Sequence, residues 1–187
     1  MLKLYAVLLG GRADGCNTEL HDVVFTVGNS LEETYPQLVQ KWFGNKNRLH
    51  IDSSIELKHV DGHEISISLE KPQNSENKSL YFVNFGGYKQ GYFGEIHNVD
   101  FYISQSKPEV LARAKDELCK SLLEQHCDDN HDVTTLIQAQ NEICDDITEI
   151  NKIDQYYLHF KQTTQPSFLK IESYYRKLNL PELMLST

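Results

Sequence analysis

Apolar and polar residues alternate along several short stretches of this chain, and the same alternation occurs twice. Tyr5, Val7 and Leu9, and again Tyr81, Val83 and Phe85, fall on one side of an extended segment, which is the period of a β-strand. A Gly-Gly pair and a further glycine follow each, Gly10-Gly11 with Gly15 and Gly86-Gly87 with Gly91. These predict loops whose backbone angles favour glycine. A second strand comes next. Glu19, His21, Val23 and Phe25 share one face, as do Glu95, His97, Val99, Phe101 and Ile103. The alternation predicts that this face is buried, and that Asn98, Asp100, Tyr102 and Ser104 meet water.

Helices are expected after these strands. Ser30 with Glu33, and Ser106 with Glu109, have the capping-box spacing. Leu111, Ala114, Leu118 and Leu122 recur at helical spacing, and Pro108 is tolerated in the first turn. Pro36 lies too deep for a helix that begins at Ser30 and predicts a restart near Thr34. Each half closes with a shorter segment, His50-x-Asp52 or His126-x-Asp128, read as loop or turn. An alternating strand follows, Ile65-Ile67-Leu69 in the first half and Tyr156-Leu158-Phe160 in the second.

Residues 4–57 fall on 80–133 at an offset of 76 without a gap, and twelve of the thirty positions in 4–33 are identical. Internal repetition defines the folding unit before propensity is considered. The expected fold is α+β: tandem duplicated ββαββ units resembling the β-grasp, or ubiquitin-like roll, with a mixed sheet, packed about a pseudo-twofold axis. Residues 1–70 form the first repeat, 71–79 a linker and 80–161 the second repeat, with a 15-residue insertion within about 134–151. The tail 162–187 is expected to dock on the second repeat.

Composition narrows the function classes. With 40% hydrophobic and 24% charged residues this is an ordinary globular chain. A net charge of −9 opposes binding to nucleic acid or to an anionic membrane surface. The apolar start at Leu4–Leu9 recurs inside the chain, so it reads as structure rather than a signal. The cysteines Cys16, Cys119, Cys127 and Cys144 form no C-x-x-C pair and are not duplicated. They read as free thiols of a cytoplasmic protein.

The phrases Leu4-Tyr5-Ala6-Val7-Leu8-Leu9-Gly10-Gly11, Glu19-Leu20-His21-Asp22-Val23 and Val60-Asp61-Gly62 resemble the bacterial domain of unknown function 1543. That resemblance covers nearly the whole chain apart from the tail. It implies one or two copies per chain and no activity, so no catalytic residue is carried over.

The duplicated Glu-x-His pairs, Glu19 with His21 and Glu95 with His97, are the leading candidate site residues. They read either as partners for glycine-loop amides or as the rim of a ligand or partner site. Four such donors also suit zinc, with His21 and His97 as weak candidates. The structural reading predicts that both imidazoles are buried. The Gly-Gly loops lack the Lys-Ser/Thr of a P-loop and join two strands, so no nucleotide site is expected. In the second loop Tyr88, Lys89, Tyr92 and Phe93 stand where the first repeat has unrelated residues, which suits an interaction surface. No nucleophile or cofactor fingerprint is duplicated. The expectation is therefore a non-enzymatic binding or interaction module without a cofactor, its partner and oligomeric state left open. The alternative is a metal-dependent or acid/base hydrolase built on the Glu-x-His pairs.

Overall fold

The computed structural model describes residues 1–72, 77–87, 91–118, 146–167 and 169–178. In chain order its elements are β1 (Lys3–Arg12), β2 (Leu20–Gly28), α1 (Tyr35–Lys41), β3 (Asn45–Glu56), β4 (His59–Val60), β5 (His63–Ser68) and β6 (Ser79–Gly87). Then come β7 (Ile96–Ser104), α2 (Lys107–Leu118), β8 (Asp146–Ile150), β9 (Lys152–Ile153), β10 (Tyr156–Gln162) and β11 (Ile171–Lys177). The class is α+β, mostly sheet. Two compact units are present, Met1–Gln73 with Lys152–Thr187, and Asn74–Asn151.

The first unit holds a four-stranded sheet of order β11-β3-β1-β2 and a second of order β4-β5-β10-β9. Tyr5, Val7 and Leu9 of β1, Val24 of β2, and Leu49 and Ile51 of β3 turn to one face of the larger sheet. There they pack with Leu31, with Leu38 and Val39 of α1, and with Trp42 and Leu178. Each fully buried aliphatic side chain in such a cluster contributes about 1.5–3 kcal/mol. The helix begins where Pro36 demands: Glu32–Thr34 make a 3-10 turn and α1 starts at Tyr35. Ser30 Oγ accepts from the Glu33 amide at 3.4 Å, and the Glu33 carboxylate accepts from the Asn29 amide at 3.0 Å. This is a capping box displaced by one residue.

The second unit has the sheet order β7-β6-β8 with α2 against it. Tyr81, Val83, Phe85, Tyr102 and Ile147 pack with Val110 and Ala114 of α2. Ser106 Oγ caps the Glu109 amide at 3.4 Å, and the Ser104 hydroxyl donates to the Glu109 carboxylate. The hairpin registers of the two units match. Leu4 faces Val27 and Gly10 faces His21, while Leu80 faces Ile103 and Gly86 faces His97.

Several expectations need correction. Every pairing among the described residues is antiparallel, not mixed. The buried and wet faces of the second strands are exchanged near the loop. In β7 the helix-covered face carries Tyr102, whose hydroxyl donates to Glu117 at 3.0 Å, and Asn98, whose amide donates to the Leu118 carbonyl. Val99 is exposed instead. An aromatic body with a satisfied polar tip buries as well as an aliphatic chain, and binary patterning scored it as wet.

Among the described residues the tail, expected on the second repeat, belongs to the first unit: β11 pairs with β3, and the Leu178 amide donates to the Leu49 carbonyl at 3.0 Å. Residues 156–161, expected in the second repeat, lie in β10, which pairs with β5. In each case a strand edge that would otherwise leave backbone groups unpaired is covered by a distant segment. The hairpin turns centre on Asp61 and Asp154, both at positive φ (48° and 52°). They align Ile65-Ile67 with Leu158-Phe160, two positions from the alignment read in the sequence. The insertion lies outside the described residues as far as 145, and its last residues form β8 on β6. Among the described residues no helix is long and apolar enough to cross a membrane.

Candidate functional site

The larger sheet of the first unit has a second face, away from α1, and the polar residues of interest gather there. Pairing partners in adjacent strands share a face. The register aligns Lys177 with His50, His50 with Gly10, and Gly10 with His21. One transverse row thus crosses all four strands, from β11 to β2. Residues two positions away along each strand share that face, so Arg12, Glu19, Arg48 and Tyr175 flank the row. A register shift between Leu8/Ser53 and Leu9/Ile51 marks a bulge in β3. It leaves Asp52 unmatched, next to His50 and on the same side.

His50 is the centre. Its side chain is only 3% exposed, although it carries two ring nitrogens that need partners. Nδ1 faces the Arg48 carbonyl at 3.1 Å and donates to it. Nε2 lies 3.0 Å from Glu19 Oε1 and 3.3 Å from Asp52 Oδ1. The Tyr175 ring stacks on the imidazole with centroids 4.3 Å apart. Asp52 Oδ2 is buried, and His21 Nε2 lies 3.2 Å from it. That approach is an ion-pair distance without hydrogen-bond geometry, so Oδ2 has no hydrogen-bond partner. Gly10 makes the cluster possible: a Cβ there would stand 2.4 Å from Asp52 Oδ2 and 2.5 Å from His50 Nε2.

The sequence expectations fare unevenly against this geometry. Glu19 and His21 are brought together with His50 and Asp52, for which the sequence predicts only a loop or turn. Both in fact belong to β3, and the signal that pointed to them was the repeated His-x-Asp spacing. The predicted burial of His21 and His97 is overturned: their side chains are 49% and 50% exposed. They lie on the helix-free face at its loop end, where Val23 and Phe25 are only partly covered.

In the second unit Glu95 Oε2 approaches His97 Nε2 at 3.5 Å, and His97 Nδ1 donates to Asn84 Oδ1 at 3.1 Å. A Cβ at Gly86 would meet Glu95 Oε1 at 2.0 Å, so glycine again clears space for a carboxylate. His126 and Asp128 lie outside the described residues. So do Tyr88 and Lys89, whereas Tyr92 and Phe93 are exposed, Phe93 fully. Among the described residues no group of three or more His, Cys, Asp or Glu is arranged to hold a metal ion. Cys16 is a free thiol, and its sulfur accepts from the Ala13 amide at 3.3 Å.

An open pocket of about 380 Å³ borders His50 and Glu19. Arg12, Arg48, Lys177, Asn47 and Tyr175 complete its wall. A larger pocket of about 480 Å³ on the same unit is lined by Lys3, Lys58, Lys170 and Arg176 among others. There the charges largely cancel: Lys3 pairs with Glu56 at 2.8 Å, Lys170 with Glu172 at 2.7 Å and Arg176 with Glu32 at 3.2 Å. The hydrogen bond to Tyr35, with a smaller part from Glu32, raises the Arg176 guanidinium above its usual range, and burial raises the Tyr35 hydroxyl.

Among curated proteins none matches the sequence. The crystal structure of a protein Il1583 from Idiomarina loihiensis is similar, with a TM-score of 0.68 and 31% identity over 96% of this chain and 99% of that one. Residues 16–67, the stretch that carries Glu19, His21, His50 and Asp52, match the family described as Domain of Unknown Function (DUF1543). With that match and a full-length relative, the chain belongs to the DUF1543 family.

Proposed function

We propose that the protein is a small non-enzymatic binding module whose ligand or partner meets the helix-free face of the first unit. The observation that carries this is the row Lys177, His50, Gly10 and His21. It places a buried imidazole between two carboxylates at the edge of an open pocket. Burying an imidazole and a carboxylate oxygen costs stability unless each is paired, and Asp52 Oδ2 lacks a hydrogen-bond partner. The alternative, a metal-dependent or acid/base hydrolase built on the Glu-x-His pairs, would place its chemistry on His21 and His97, each about half exposed.

The reading of the chain as a tandem duplication accompanies this proposal. It is supported by the shared hairpin register at an offset of 76 and by the duplicated glycine–carboxylate packing at Gly10 and Gly86. A β-grasp roll, with its mixed sheet, draws no support from antiparallel pairings. The exposed aromatics Tyr92 and Phe93 suit a second contact surface in the other unit.

Chemical-shift mapping of the full chain against a fragment collection tests the binding reading. Hits that perturb His50, Tyr175 and Lys177 and weaken in His50→Gln support it. Fragments that perturb only the larger pocket or the Phe93 loop overturn it.

A further inference from the structure

We infer that the pocket beside His50 recognises an oxyanion, a phosphate or carboxylate group carried on a small polar molecule. The inference deepens the binding reading and rests on it. Three cationic side chains, Arg12, Arg48 and Lys177, line the pocket, and they come from three different strands, β1, β3 and β11. Among the described residues none of the three has a carboxylate partner. Glu19, the acid in the same pocket, already lies against His50 at 3.0 Å. In a chain of net charge −9, convergence of three uncompensated cations runs against the overall balance. In the larger pocket three of the four basic side chains, all but Lys58, are met by glutamates of the same unit.

The geometry also fits the chemistry of an oxyanion. Guanidinium groups present forked donors that match the oxygens of carboxylate and phosphate, and lysine adds a point charge. The Asn47 side chain offers an amide at the same wall, and the Tyr175 ring, stacked on His50, forms a flat apolar side. Glu19 remains as an acceptor for a hydroxyl or amine elsewhere on the ligand. A simple inorganic ion would leave that acceptor and the flat side unused, which is why the group is placed on a larger polar molecule. The site is open to solvent, so each contact is worth what an exposed ion pair is worth and affinity is modest.

The test uses the isotopically labelled full chain at constant ionic strength. It is titrated with inorganic phosphate and, separately, with succinate, and a set of neutral hydroxylated fragments is screened in parallel. Saturable shifts at Arg48, His50 and Lys177 are expected. Arg12→Gln and Arg48→Gln each weaken binding about fivefold, the scale of one exposed ion pair, whereas Lys58→Gln in the larger pocket leaves it unchanged. Saturation by phosphate alone assigns a phosphoryl source, and saturation by both assigns a general oxyanion. Unsaturable shifts, or equal loss in the Lys58 variant, overturn the inference. If neutral fragments then bind at His50 while the anions do not, the ligand class is wrong and the binding face stands. If neither binds, both readings fall.

Discussion

His50 sits directly opposite Gly10 in the β3–β1 pairing, and a Cβ on Gly10 would come within 2.5 Å of His50 Nε2. The absent side chain is therefore the space that the His50–Asp52 pair occupies. Gly86 has the same relation to Glu95, but that carboxylate belongs to a side chain with several free torsions, which can swing aside. Gly10→Ala is expected to cost about 1–3 kcal/mol through overpacking and to shift the His50 resonances. Gly86→Ala should cost less. Urea unfolding of the two variants checks the order.

Burial decides between the two histidines of the cluster. His50→Ala leaves Glu19 Oε1, Asp52 Oδ1 and the Arg48 carbonyl without their imidazole, and loses about 1–3 kcal/mol, the penalty of unsatisfied groups in a buried setting. His21 is half exposed and makes one approach without hydrogen-bond geometry. His21→Ala is therefore expected to change stability by no more than about 0.5 kcal/mol. Chemical denaturation of both variants measures the contrast, and equal losses would mean that His21 is structural after all.

Leu178 is buried in the first unit's core and its amide completes the pairing to Leu49. Leu178→Ala should destabilise that unit by about 2–5 kcal/mol. Hydrogen exchange at β1 and β3 amides will rise, while exchange at β6 and β7 amides of the second unit stays near the original rates. A tail docked on the second repeat would give the reverse pattern.

Tyr102 supplies a pH dependence with a definite sign. Burial first, and then its hydrogen bond to Glu117, raise the hydroxyl's pKa above its ordinary value of 10.0. The folded state therefore holds this proton after the unfolded state has released it. The contribution is fully present below about pH 10 and is lost as pH rises from there toward the folded value. Tyr102→Phe should lose about 1–2 kcal/mol at neutral pH with the hydrogen bond, and the gap to the parent should narrow above pH 10. Thermal melts from pH 8 to 11 test this, and a constant gap would show that the hydroxyl titrates normally.

What the sequence determined by itself is what short-range forces decide. The paired strands of the two hairpins, the caps at Ser30 and Ser106, and the helix restart forced by Pro36 all follow from interactions within a few residues, whereas Gly10-Gly11 and Gly86-Gly87, expected as loop, lie inside β1 and β6 without positive φ. The 76-residue offset also set Gly10 and His21 at positions equivalent to Gly86 and His97. The tertiary structure decided which face of each hairpin is buried, because that depends on where α1 and α2 come to rest. Tyr102, a polar-tipped aromatic, went inside while Val99 stayed out. It also decided the site. His50 becomes central only when the β3 bulge sets Asp52 beside it and when β11, whose Tyr174 is 120 positions from Ser54 on β3, brings Tyr175 and Lys177 across. Open strand edges and unfilled core volume select such distant partners, and neither quantity is written in any local stretch of chain.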